Sequence, residues 1–204
     1  MQTQSPATSV DVVFTLEGTS IPRYHGEYLW QEIRRLLPSL AGDETVGVHP
    51  IHGAITEANV LLLSKRAALT IRIRRERAET LMPLSGQILH INGNPLRIAA
   101  GKVRELMAHN AVHAYYVVTD NPEESAFAAD IQAQLDARHI TCTLLCGKSH
   151  RLPSQGGEMT AYSLALYDLT PEASLRIQET GLGHKRELGC GVFVPHKSFT
   201  AVGA

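Results

Sequence analysis

The order in which hydropathy period changes along the chain limits its fold more than any other feature. Residues 10–16 (VDVVFTL) alternate with period two, mix in β-branched side chains and are followed by Gly18, which predicts a strand. Beyond Pro22, Leu29, Ile33, Leu36 and Leu37 recur at helical spacing over residues 26–37 until Pro38 stops them. Arg34 and Arg35 stand near the C-terminal end of that helix, where positive charge suits the helix dipole. Residues 46–55 and 60–75 read as two strands parted by a turn at 57–59. In the second, Leu69, Ile71 and Ile73 alternate with Thr70, Arg72 and Arg74, so one face is apolar and the other carries arginine. A short helix over 76–84 and a strand or hairpin over 87–98, turning at Asn92-Gly93, complete a strand, helix, strand, strand, helix, strand series.

The second half gives the same order. A strand is predicted over 111–119, with Val103 as its furthest start, then a helix over 121–138 with Asn121 as N-cap, Pro122 at the first helical position and Glu123 and Glu124 in the first turn. Strands follow at 140–145 and 160–167, separated by a Gly/Pro/Ser loop at 152–157. A helix starting at Thr170-Pro171 and ending before Gly181, and a strand over 192–196, close the series. Two such units, 1–100 and 101–204, predict an α+β fold of tandem ferredoxin-like, RRM-like domains. Each sheet would carry helices on one face and leave the other open to a ligand. The repeat is one of element order and says little about function.

Composition narrows the function classes. A hydrophobic fraction of 44% with 19% charged residues is that of an ordinary globular protein. No apolar run approaches the ~20 residues that span a bilayer, and the polar start MQTQSPATS lacks the order of a signal peptide, so a cytoplasmic protein without a membrane role is expected. The net charge of −1 argues against coating nucleic acid through overall charge, so any such site must be local. Cys142, Cys146 and Cys190 are odd in number and lack C-x-x-C spacing, which suggests small buried hydrophobes and neither a disulfide framework nor a zinc site; no cofactor is expected. The ten histidines invite metal or acid/base readings, between which spacing must choose.

The densest signal is residues 181–197, GLGHKRELGCGVFVPHK, where Gly181, Gly183, Gly189 and Gly191 surround His184, Lys185 and Arg186, with Lys197 at the end. Glycine lets a backbone come within hydrogen-bonding distance of a phosphate chain, and the cations supply charge. The stretch is not a Walker loop, because its lysine does not follow the last glycine beside a Ser or Thr, nor a Rossmann fingerprint, because it precedes a strand. A surface hairpin with solvated charges is the bland alternative.

This glycine-rich stretch resembles the C-terminal loop of the CRISPR-associated protein six family, the repeat-processing endoribonucleases, and its G-x-G-H-x-R-x-x-G-C-G-x-F-V-P-H-K form is similar to the branch of the Myxan subtype. IPRYHGEYLWQEI resembles that family's segment at the first helix, VGVHPIHG its early histidine-containing strand, and ERAETLMPLSGQILHINGNPLRI the end of its first domain. The resemblance runs from about residue 10 to 197. It implies a tandem ferredoxin-like protein that cuts CRISPR repeat transcripts without metal, grips the repeat RNA through the glycine loop and commonly stays bound to the crRNA among other CRISPR-associated proteins of an interference complex.

Metal-free cleavage uses the neighbouring 2′-hydroxyl as an internal nucleophile, which avoids most of the entropy of bringing reactants together and leaves the enzyme to supply a base, an acid and charge stabilisation. Histidine suits the proton transfers, since its pKa of ~6.5 keeps both forms accessible. His25 is the candidate, because it stands where Pro22 gives way to the first helix, a place from which a side chain can point toward a ligand, and because it matches the position where the resembled family often has its catalytic histidine. The competing role for His25 is to cap or pack the helix start. Tyr28, three residues on, could share its face and donate or orient a proton; Tyr24 competes, and Trp30 reads as core or as a stacking platform. His49 and His52, three apart on an extended segment, should face opposite ways, which argues against a shared metal, and Tyr28, His52 and the lysines stay open for the second role. Arg72 and Arg74 could meet phosphates, as could Lys148 and Arg151, although an alternating charged face is more often simply solvated. Two other classes remain: a guide-RNA-holding subunit without catalysis, and a small-molecule-binding pair of ferredoxin-like domains.

Overall fold

A computed structural model describes residues 7–154 and 156–196. In its first unit the central strand is β1 (Ser9–Glu17), with the short β2 (Ser20–Pro22) and helix α1 (Gly26–Leu36) after it. Then come β3 (Gly47–Val48), β4 (Ala54–Ile55), β5 (Val60–Leu62), β6 (Ala68–Arg74), β7 (Ile88–Ile91) and β8 (Asn94–Glu105). The main antiparallel sheet runs β3-β6-β1-β8-β7, and β2, β5 and β4 form a small sheet beside it. The period-two pattern sets the register: Val10, Val12 and Phe14 lie opposite Ile73, Ile71 and Leu69, all fully buried, and Leu29, Trp30 and Ile33 of α1 belong to the same core.

The second unit comprises β9 (Val112–Val117), α2 (Glu124–Asp136), β10 (Thr143–Ser154), β11 (Gly157–Tyr167), α3 (Pro171–Thr180) and β12 (Val194–Pro195). Its sheet runs β10-β11-β9-β12. Val112, Ala114, Leu164 and Leu166 share a core with Phe127, Ile131 and Leu135 of α2 and Ile177 of α3. Both sheets have the first strand between the third and fourth and the second outside the third, so the fold is a tandem of ferredoxin-like units, with β7 added at one edge.

Several boundaries differ from the sequence reading for local reasons. The 46–55 strand is two short pieces, since Pro50 has no N–H to give a ladder and a side chain at Gly53 would strike the Leu62 carbonyl. The 60–75 strand breaks at a turn closed by Ala67 N–H on the Ser64 carbonyl. The expected helix at 76–84 is a 3-10 helix, Arg75–Leu84, with Pro83 inside it. Asn121 does not cap α2: its side chain bonds Asp130 at 2.8 Å, and Glu123 takes the N-cap position. Of the loop expected over 152–157, residues 152–154 and 157 pair instead at the ends of β10 and β11, and Val103 belongs to β8. Asn92 and Gly93, both at positive φ, make the two-residue turn as expected.

Within the arginine face of β6, Arg72 is not solvated, and the expectation for it is overturned. Arg72 is 1% exposed, its Nε and Nη2 donating to the two oxygens of Asp11 at 2.8 and 3.2 Å. Its Nη1 donates to the backbone carbonyls of Gln178 (2.8 Å) and Phe193 (2.6 Å) in the second unit. The face that would have met phosphate is covered by the second unit, and the guanidinium joins the two. Arg74 remains at the surface, near Glu76.

His49 is buried in the same network, its Nε2 3.3 Å from Asp11 Oδ1 but without hydrogen-bond alignment. Burial pushes its pKa down to about 4, against the pull of Asp11. The unfolded chain therefore binds a proton at about pH 6.5 that the folded one refuses until about pH 4. Stability is expected to fall by roughly 3 kcal/mol as pH drops through that window. Urea midpoints at pH 7, 5.5 and 4 for the parent and His49→Phe proteins check this, the variant losing less over the same interval.

Candidate active site

The two units meet around a cavity of about 470 Å³. The start of α1 supplies Tyr24, His25 and Tyr28, the loop before β5 supplies Asn59, and the second unit supplies Tyr116 and Leu152. Tyr116 is there because of a bulge. Val117 pairs with Tyr162 and Ala114 with Leu164, so Tyr115 and Tyr116 together oppose Ser163 alone. Tyr115 and Tyr116 went unnoticed in the sequence, where the doublet interrupting a period-two strand was their only signal.

His25 occupies the N-cap position of α1 and is 5% exposed. Its Nδ1 lies 3.1 Å from both the Pro22 and Arg23 carbonyls, and its Nε2 is 3.0 Å from the Ile51 backbone nitrogen. Carbonyls only accept and an amide N–H only donates, so Nδ1 carries the proton and Nε2 the lone pair. Burial lowers the pKa, the two carbonyl bonds opposing it, and the ring is neutral near pH 7. The expectation that His25 points out of a loop is thus overturned. The ring turns inward and holds the 50–53 segment by the Ile51 amide. Gly26 permits this packing, because a Cβ there would lie 2.4 Å from the Leu188 carbonyl, at the end of the glycine loop.

Tyr28 lies on the same helix end, 40% exposed and lining the cavity, so the structure does bring the two predicted catalytic residues together. Arg23 lies over the Tyr24 ring at 5.0 Å, and its Nε is buried without a hydrogen-bond partner. Trp30 is 8% exposed and belongs to the core, not to a stacking surface. His52 is exposed and packs against Tyr115, away from the buried His49, so the pair separates as expected.

In the glycine loop, Gly181, Gly183, Gly189 and Gly191 all have positive φ. Their smallness serves the protein's own backbone: a Cβ at Gly191 would sit 2.2 Å from the Leu182 carbonyl, and one at Gly183 2.3 Å from that of Val118. His184 and Lys185 are exposed. Arg186 is not, contrary to expectation. It is 8% exposed, with its guanidinium packed toward Gly47 and Gly181 and Nε and Nη2 lacking hydrogen-bond partners. Burial, with Arg72 and Arg138 nearby, lowers its pKa to about 10, so it stays charged. It borders a second cavity of about 680 Å³ together with Arg34, His184 and Lys185. Lys197 lies outside the described residues.

Among the described residues, no three His, Cys, Asp or Glu side chains are grouped to hold a metal ion, and no helix is long and apolar enough to cross a membrane. The Cas6 family model, described as Cas6 Crispr, matches residues 10–198. The CRISPR-associated endonuclease Cas6 of Myxococcus xanthus (strain DK1622) is 31% identical over 187 residues, covering 91% of this chain and 81% of that protein. A solved CRISPR-associated protein Cas6 superposes with a TM-score of 0.69 at 12% identity, over 93% of this chain and all of the other. A Cas6-related protein of Pyrococcus furiosus gives 0.61 at 14% identity, over 91% of this chain and 98% of the other. The match over nearly the whole chain, in sequence as well as in fold, makes it a member of the Cas6 family of CRISPR-associated endonucleases.

Proposed function

We propose that the chain is a metal-independent endoribonuclease that cuts CRISPR repeat transcripts by attack of a 2′-hydroxyl on the adjacent phosphate, leaving 2′,3′-cyclic phosphate and 5′-hydroxyl ends. The observation that carries this reading is the cavity that unites His25 and Tyr28 beside the glycine loop in a Cas6 family member. The first unit supplies the reacting side chains. The second supplies the loop, with His184 and Lys185 for the phosphates and Arg186 as a buried cation behind them, and Arg74 adds an exposed cation. In this reading the product is retained as a guide among other CRISPR-associated subunits.

His25 is the proposed base, a neutral imidazole whose Nε2 lone pair takes the 2′-hydroxyl proton once it exchanges the Ile51 amide for the substrate. Tyr28 is the neighbouring donor. A second assignment is favoured by the bonding of His25: with both nitrogens engaged, His25 positions Ile51, and the adjoining His52 moves the proton.

Cleavage of the cognate repeat in EDTA tests the function, beside a copy with one 2′-deoxy nucleotide immediately upstream of the cut. The first RNA is expected to be cut and the second to survive intact. Binding of both without cutting would replace the reading by a guide-holding subunit, and cutting of the deoxy copy would reject 2′-hydroxyl attack.

A further inference from the structure

Next to the cavity, on the helix-free side of the second sheet, five rings form a continuous row. The His52 and Tyr115 centroids are 4.6 Å apart, Tyr115 and His113 4.8 Å, His113 and His196 4.9 Å, and His196 and Tyr167 5.9 Å. Strand alternation creates the row: Val112 and Ala114 of β9 go into the core with α2 and α3, and His113 and Tyr115 take the other face. His196 follows β12, and Tyr167 ends β11. Tyr115 is 43% exposed, His52 is exposed, and the other three are half-buried. The rings meet tilted or edge to face, a geometry that holds each one in place.

Among the described residues no Lys or Arg belongs to the row, so these rings are poorly made for gripping phosphates. Burial also shifts His52 and His113 toward the neutral form. What the row offers a ligand is π surface. Its members neighbour the site along the chain at two points: His52 follows Ile51, whose N–H is held by His25, and Tyr115 precedes Tyr116, which lines the cavity.

We propose that His52, Tyr115, His113, His196 and Tyr167 form a stacking platform for unpaired bases of the RNA strand where it leaves the cavity. Bases already stacked inside a duplex present no free face to such rings, whereas a single strand does, whatever its sequence. The platform would therefore hold an unpaired flank of the repeat and favour substrates that have one. This rests on the RNA-processing reading.

The test uses the full chain and a repeat blocked by a 2′-deoxy nucleotide at the cut, with single 2-aminopurines placed in turn in the unpaired flank, where stacking quenches fluorescence. At least one position is expected to be quenched on binding. Tyr115→Leu and, separately, Tyr167→Leu should relieve the quench and weaken binding about 5- to 100-fold, while Tyr115→Phe keeps both. Trimming the flank should weaken the parent and bring it level with the variants. Unchanged binding and quenching in both leucine variants, with cleavage of the unblocked repeat intact, would overturn the platform and leave the nuclease reading standing. Failure of the parent to bind or cut the repeat at all would instead remove that reading, and the platform with it.

Discussion

An Arg72→Ala protein is expected to be less stable than its parent by about 3–5 kcal/mol, the usual cost of stripping one partner from a buried ion pair. Three separate losses combine. Asp11, 3% exposed, would keep its charge without its best counterion. The carbonyls of Gln178 and Phe193 would be left without the guanidinium that now bonds them. A void the size of a large side chain would open where the two units meet. Burial alone would raise the Asp11 pKa, but His49 and Arg72 beside it hold the group well below the ordinary carboxylate range. Its contribution is therefore present at neutral pH and should disappear only in strong acid. Urea denaturation at pH 7 measures the effect. Pairing Arg72→Met with Asp11→Leu should recover much of the loss, because no charge is then left buried alone. A phosphate-binding Arg72 would behave otherwise, with stability unchanged and RNA affinity reduced and less salt-dependent. A stability loss below about 1 kcal/mol would mean that the guanidinium is not what joins the units.

The second large effect is expected at His25. Its replacement by alanine would remove three contacts at once and could slow cleavage through either of its assignments. Glutamine separates them. A side-chain amide oxygen near the position of Nε2 can still accept from the Ile51 N–H, yet it cannot take up and release a proton near neutrality. If His25 transfers the proton, His25→Gln should lower the single-turnover rate by about 10²- to 10⁴-fold while the fold and RNA affinity stay near the parent's. If His25 only positions Ile51, the glutamine protein should cut within a few-fold of the parent, and His52→Ala should carry the large loss instead. The pH profile tests for a buried base in either assignment, because burial lowers the pKa of His52 as well. A base whose pKa is lowered by burial keeps its lone pair below pH 6.5, so the acid limb of the parent's rate should have its midpoint under that value.

Much of this architecture could be read in the chain because local patterns and tertiary packing agree. In β1 and β6 the apolar members of the alternation, Val10, Val12 and Phe14 with Leu69, Ile71 and Ile73, are the residues that pair across the strands and build the first unit's core. What alternation does not tell is what lies over the second face. Arg72 looked solvated because a strand carries no mark of a partner more than a hundred residues away, and its actual partners include main-chain carbonyls, which no side-chain motif advertises. The glycines of the terminal loop were visible as places where a backbone can be closely approached, but what approaches them is the protein's own chain. His25 was singled out from its place before α1 and from the family resemblance. Its inward turn depends on the Ile51 amide, and a backbone donor leaves no trace in residue types. The ring row needed the bulge at Tyr115 and Tyr116 together with the approach of His52 from the other unit, both products of register and docking.

The close seating of Gly26 on Leu188 has a mechanical meaning. Backbone rests on backbone there, with no side chain between the helix start and the end of the glycine loop to bend and absorb movement. Displacing residues 186–188 by even an ångström would push directly on the peptide next to His25. A strand of RNA pulling on the loop would thus press on the backbone beside His25, the residue proposed to move the proton, through a rigid contact.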